Sequence, residues 1–347
     1  PFALLVLSGG GEASQAPVWV GQVAAGISFL LVGAGLHTTQ TIGLALATDL
    51  APPESHPKIV GLMYVMLLFG MIVSAVVFGA ALVDFSPGRL VQVIQGAAVA
   101  TIALNLLALW KQESRARAPA GVRRPDPSFR ESWDSFCQGE GARRRLVVIG
   151  LGTMAFTMED VLLEPYGGQI LNLSVAATTV LTATLALGGL VGFGLASRVL
   201  GRGADPYRMS AYGTLLGVPA FLAVIAAAPL NSPLLFGLGA FLIGLGGGVF
   251  SHGTLTATMN LAPPGQRGLA LGAWGAVQAT AAGVAVALGG IIRDSVGAMA
   301  AGDASAAAQL GQAAGYNVVY WIEIWLLVAT LVALAPLLRR AVRPLPT

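Results

Sequence analysis

The sequence predicts an all-α integral membrane protein built from two helical halves of similar design, on three observations. Hydrophobic residues make up 55% of the chain and charged ones 10%, against roughly a quarter charged in an ordinary soluble domain. The apolar residues fall in runs able to cross a bilayer, which takes about 20 residues; lipid offers an open backbone no hydrogen bonds, so such runs are helices. Finally, the stretch Gly33–Pro53 comes back in altered form as Gly244–Pro264. Both copies open on paired glycines, cross a mixed apolar and small polar segment, and stop at Leu-Ala-Pro-Pro, the mark of an internal repeat.

Nine runs read as spans: Val18–Leu46, Ile59–Leu82, Leu90–Trp110, Leu146–Leu163, Ala176–Leu200, Met209–Ala228, Leu234–Leu261, Leu269–Ile292 and Val318–Leu338, preceded by an apolar stub at Pro1–Ser8. Matching the halves puts Pro1-Phe-Ala-Leu-Leu-Val on Pro219-Ala-Phe-Leu-Ala-Val, so the stub reads as the second part of a helix. The expectation is a 6+6 helix bundle with pseudo-twofold halves, here lacking the N-terminal two to three spans. Residues 1–110 are the remainder of the first bundle, 111–145 a linker, and 146–347 the second six-helix bundle. The one cysteine, Cys137, excludes an internal disulfide.

Basic residues set the orientation. With the linker on the cytoplasmic side, that side holds 17 Lys and Arg and the other only Arg89 and Arg293. The linker and the C-terminus are therefore expected in the cytoplasm. The charge of +3 reflects topology and headgroup contact with lipid, and implies no nucleic acid.

Polar residues inside the apolar runs are the candidates for function, because an intramembrane ionisable group is costly. The first span carries His37, Thr38, Thr39, Gln40 and Thr41. With the Pro-Pro pairs superposed, Thr41 lies on His252, which follows Ser251 in the second copy. These groups suit a solute-binding face, or an imidazole giving a lone pair to a metal such as the magnesium of a chlorin; hydrogen bonding across a helix interface would also use them. His56 reads as solvated loop. Gly61, Gly70, Ser74 and Gly79 are small residues for close helix packing, and Gln92 and Gln95 project from one helix face to line a cavity or to bond between helices.

In the linker, Glu113–Pro127 is charged and proline-containing. Phe129, Trp133, Phe136 and Cys137 then share one helical face, opposite Arg130, Glu131 and Asp134, as in an amphipathic helix lying in the membrane interface. Leu146–Leu163 holds three acids, Glu159, Asp160 and Glu164, with Asp160 and Glu164 one turn apart and a helix break expected at Pro165 and Gly167-Gly168. Such acids need a proton, a partner or hydration. Later spans add Gln278 and Glu323, the latter with Arg293 as expected partner; the Ala- and Gly-rich insert Gly297–Gly315 lengthens a far-side loop.

Gly194-Leu-Ala-Ser-Arg-Val-Leu-Gly-Arg202 resembles the loop signature of the major facilitator superfamily, through Gly194, Arg198, Gly201 and Arg202. With the repeat and the basic linker, it makes the bundle major-facilitator-like.

Longer strings narrow the resemblance. The run from Gly35-Leu-His-Thr-Thr-Gln-Thr to Ala51-Pro52, the run from Asp84-Phe-Ser-Pro to Gly96, Leu109-Trp-Lys-Gln-Glu113, and Asp160-Val-Leu-Leu-Glu-Pro-Tyr-Gly-Gly168 are similar to the PucC/LhaA family of phototrophic bacteria, over essentially the whole chain. One departure is Glu159, where the resemblance leads one to expect Gln. The resemblance implies an assembly factor for light-harvesting antenna complexes in the bacterial inner (photosynthetic intracytoplasmic) membrane. It would bind or deliver bacteriochlorophyll as cargo, with antenna polypeptides and the reaction-centre core complex as partners. The alternative is a proton-coupled small-solute transporter. Catalysis is not expected: no Asp-x-x-x-Asp, Gly-x-Gly-x-x-Gly, His-Glu-x-x-His or Gly-x-Ser-x-Gly occurs.

Overall fold

In the computed structural model, residues 18–52, 55–84, 86–110, 130–131, 134, 137, 141–260, 267–300 and 308–341 are described. Their ordered elements are helices: α1 Val18–Asp49, α2 His56–Ala81, α3 Pro87–Leu109, α4 Ala142–Thr157, α5 Leu163–Gln169, α6 Val175–Leu200, α7 Pro206–Ala227, α8 Pro233–Asn260, α9 Arg267–Ala300 and α10 Ala308–Ala341. Eight of these are long and apolar enough to cross a membrane, which makes the chain a multi-pass membrane protein.

Local chemistry sets several helix starts. Ser86, Ser174 and Asp205 stand as N-caps whose side-chain oxygens accept backbone N–H groups of the first turn, donors that the helix itself leaves unmet. Pro87 and Pro206 follow two of these caps, where a missing N–H costs nothing.

The chain divides into two compact units. The first comprises Pro1–Thr39 and Val76–Glu131. Within it Arg89 donates from Nε to the Ala81 carbonyl at 2.7 Å, tying the α2–α3 turn. Its α3 has no buried residue along its span Gly88–Leu109, and Val99, Ile102, Leu104, Leu106 and Leu107 are all exposed.

The second unit comprises Gln40–Ala75 and Ser132–Thr347. Its main core joins Phe156, Tyr166, Phe221, Phe236, Phe250, Tyr316 and Tyr320. Around α8 the helices approach backbone to backbone. A Cβ added at Gly248 would stand 2.6 Å from the Gly189 carbonyl oxygen, and one at Gly213 would stand 2.6 Å from that of Gly246. Small residues permit such approach where no hydrophobic effect drives helices together.

The expected span Leu146–Leu163 is not one helix. The α4 helix stops at Thr157, residues 158–162 form a turn, and α5 runs on through Pro165 and Gly167-Gly168. The break thus precedes Glu164 instead of following it. Pro165 lies in the first turn of α5, where a backbone N–H would have no intrahelical partner and its absence costs nothing. Asp160 and Glu164 therefore do not share a continuous helix face. His56, expected in a loop, opens α2. Of the Gly297–Gly315 insert, Gly297–Ala300 ends α9 and 308–315 begins α10, so much of it extends helices. The stub Pro1–Ser8, most of the linker, Phe129, Trp133, Phe136 and the repeat end Leu261–Pro264 lie outside the described residues.

Candidate functional site

Two polar groupings stand inside the apolar second unit, one around His252 and one around the break between α4 and α5.

His252, on α8, is 1% exposed and neither of its nitrogens has a hydrogen-bond partner among the described residues. Phe193 of α6 meets its ring edge-on at 5.3 Å between centroids, and Tyr64 of α2 stacks on Phe193 at 4.8 Å. Gln40 donates from Nε2 to the Tyr64 hydroxyl at 2.9 Å. Trp274 of α9 lies perpendicular to Tyr64, its Nε1 donating to Thr254 Oγ1 at 3.3 Å. Gly61 permits this closeness: a Cβ there would stand 3.4 Å from His252 Cε1 and 3.0 Å from Ser197 Oγ. Of the residues singled out in the sequence, Gln40 and His252 thus reach one aromatic wall. Thr41 lies instead toward Gly275, and Ser251 is half-buried with its carbonyl accepting from Thr254. Tyr64, Phe193 and Trp274 were not legible as site residues, since an aromatic in an apolar run looks like core.

An orphan buried imidazole has the donor chemistry of an axial metal ligand. Protein covers the His252 ring, however, so a planar macrocycle would reach it only if a neighbouring helix drew away. His37 belongs to the first unit and is half-buried beside the exposed Leu36. Among the described residues, no three His, Cys, Asp or Glu side chains group to hold a bare metal ion.

At the break, Glu159 points inward and is fully buried, while Asp160 is exposed. The Glu159 carbonyl accepts from the N–H groups of Leu162 and Leu163 at 2.7 and 3.0 Å, winding the turn that starts α5. Glu164 sits in the first turn of α5, where a helix favours negative charge, and accepts a hydrogen bond from the Thr182 hydroxyl. Glu323 of α10 does not reach Arg293. That guanidinium instead donates to Asp294 at 2.5 Å, Gln169 at 2.7 Å and the Tyr316 hydroxyl at 2.8 Å, lying 4.7 Å over the Tyr316 ring. Tyr316 in turn donates to Gln169 at 2.8 Å. Tyr316→Phe removes the group that both gives and takes in this triangle. We expect a loss of about 1–3 kcal/mol, read as a lower unfolding midpoint in mild detergent.

The facilitator-type loop closes α6. Arg198 lies in the last turn, where the helix favours positive charge, and Gly201 caps it, its N–H reaching the Ser197 carbonyl at 2.9 Å. Gly194 and Arg202 are exposed.

Comparison with known proteins bears on family and fold. The family model described as PUCC protein matches residues 1–342. Protein PucC of Rhodovulum sulfidophilum is 60% identical over 299 residues, covering 85% of this chain and 66% of the relative. Protein PucC of Cereibacter sphaeroides is 53% identical over 341 residues, covering 98% and 73%. A more distant relative, the Bacteriochlorophyll synthase 44.5 kDa chain of Rhodobacter capsulatus, is 28% identical over 269 residues, covering 74% and 60%. The chain thus spans between 60% and 73% of the length of these three relatives. Among solved structures, the human organic anion transporter MFSD10 (TETRAN) superposes with a TM-score of 0.62 at 16% identity, covering 96% of this chain and 74% of that one. This likeness shows the fold, which is all-α and major-facilitator-like.

Proposed function

The chain belongs to the PUCC family, and from that premise we propose that it serves in the assembly of bacterial light-harvesting complexes, carrying bacteriochlorophyll and chaperoning the small antenna helices. The observation that carries this reading is the family match across residues 1–342. The first unit supports it with an apolar flank: Leu30, Leu31, Val32 and Leu36 on α1 and residues 99–109 of α3 are exposed. Such a flank offers lipid, a pigment tail or an antenna helix the same apolar contact, and transmembrane helices associate by packing of this kind. His37 would supply the magnesium ligand beside it. The setting would be the inner, photosynthetic membrane, with linker and C-terminus cytoplasmic, and with the reaction-centre core complex as a further partner. The role is non-catalytic.

The test is a near-infrared absorption spectrum of the protein purified in mild detergent from pigmented cells, with copurifying small polypeptides identified by mass spectrometry. Bound bacteriochlorophyll together with antenna chains is the expected result, with pigment occupancy falling several-fold in His37→Phe. Antenna chains without pigment would leave a scaffold for polypeptides alone. If neither copurified, the assembly reading would fail. Proton-coupled solute transport would then come forward, a reading that rests on fold likeness, a weak warrant for activity, and that vesicle uptake would test.

A further inference from the structure

A membrane-buried acid pair with no basic partner among the described residues stands where the helix breaks. Glu159, in the turn between α4 and α5, and Glu323, midway along α10, are both 0% exposed. They are electrostatic neighbours, and Tyr320, one turn before Glu323 on α10, sets its ring 5.5 Å from Tyr166 of α5, the helix that the Glu159 turn begins. None of their four carboxyl oxygens has a hydrogen-bond donor among the described residues. A second observation points into the same spot. The Tyr320 hydroxyl, also 0% exposed, lacks a hydrogen-bond partner among the described residues and has Glu323 and Glu159 among its electrostatic neighbours.

Among the described residues, no other group nearby balances two negative charges. Asp160, in the same turn, adds to them. Tyr166 of α5 and Tyr316 of α10 are neutral hydroxyls, and Arg293 of α9 is engaged by Asp294, Gln169 and Tyr316. Helices α7 and α8 meet this core with Phe221, Val224, Phe236 and Ala240, all apolar. Two adjacent ionised carboxylates in such a place are not sustainable, and a carboxyl–carboxylate pair sharing one proton is.

We propose that Glu159 and Glu323 form a proton-binding site in which one proton bridges the two carboxyl groups, with the Tyr320 hydroxyl as an uncharged neighbour of the same pair, latching the α4–α5 break onto α10. Loss of the proton places like charges side by side in an apolar core and drives the break away from α10. Discontinuous membrane helices commonly house ion sites of this kind. The site concerns a proton and is independent of the cargo, so its failure and that of the assembly reading are separable.

The test is infrared spectroscopy of the purified full chain, which requires no pigment or antenna. The native protein at neutral pH should show the carbonyl band of a protonated carboxylic acid, shifted in deuterium oxide, and the band should vanish in E159Q and in E323Q. The unfolding midpoint of the native protein should fall as pH is raised, and that of E323Q should not, because its amide donates without a proton. Absence of the band in the native protein would overturn the proposal whether or not the variants fold. Persistence of the band in both variants would overturn it too, by placing the proton elsewhere. A midpoint raised by sodium chloride and not by choline chloride, with no protonated band, would replace the proton with a sodium ion.

Discussion

Gly244→Ala should destabilise the second unit more than any other single methyl added along α8. A Cβ at Gly244 would overlap the Leu185 carbonyl oxygen and stand 2.9 Å from the Gly189 nitrogen. Both obstacles are backbone of α6, so no side chain can swing aside and the two helices must part. Overpacking of this kind costs about 1–3 kcal/mol, occasionally more, and here it would break a contact that small residues repeat along both helices. Gly188 answers from α6: a Cβ there would overlap the Phe241 carbonyl oxygen. Gly237 on the same α8 is the control, since nothing lies within 4 Å of a Cβ built there, and Gly237→Ala should hold or gain about 0.5–1 kcal/mol from helix propensity. The measurement is the unfolding midpoint in mild detergent. Combining Gly188→Ala with Gly244→Ala should cost less than the two singles together, because helices already parted admit the second methyl more readily. Equal midpoints for Gly244→Ala and Gly237→Ala would mean that α6 and α8 do not approach this closely.

The sequence made the helices legible because their cause is local. An apolar run in lipid has only one way to satisfy its backbone, and Ser86 or Asp205 before a proline marks a start by chemistry within a few residues. What lay hidden depended on contacts distant in sequence. Pro165 and Gly167-Gly168 look like breakers, yet Pro165 sits where α5 needs no donor, and Gly167 packs against Leu181, Phe236 and Leu173. The actual break falls at residues 158–162, where Glu159 turns into the core toward an acid more than 160 residues away. Arg293 was expected beside Glu323 on proximity in span and opposite charge. It is taken by the adjacent Asp294 and by Gln169 and Tyr316, the last two without a charge to advertise the pairing. The candidate site divides in the same way. Polar residues out of place, such as His37, Gln40 and His252, announce themselves in an apolar run, whereas Tyr64, Phe193 and Trp274 gain meaning only when helices from three parts of the chain meet.

Tyr166→Ala should have the largest effect of any truncation near the break. Tyr166 is fully buried, with ring centroids of Phe236 and Tyr316 at 5.3 Å and Tyr320 at 5.5 Å. Emptying such a position costs about 3–5 kcal/mol. The hydroxyl contributes little of this, since its contact with the Val224 carbonyl is 3.5 Å long, the outer edge of a hydrogen bond. Tyr166→Phe should therefore lose under about 1 kcal/mol. A wide gap between the two midpoints identifies packing as the cause; similar losses would shift the weight to the hydroxyl. The consequence reaches past global stability. The α5 helix is only 7 residues long, far below what stands alone in water or needs no anchor, and Tyr166 is its largest buried side chain. Removing the ring frees α5 and, with it, the turn that holds Glu159 against Glu323. Hydrogen exchange in 158–170 should then rise well before that of α7 or α8, whereas exchange rising uniformly across the unit would mean that α5 is held by the chain on either side and not by its ring.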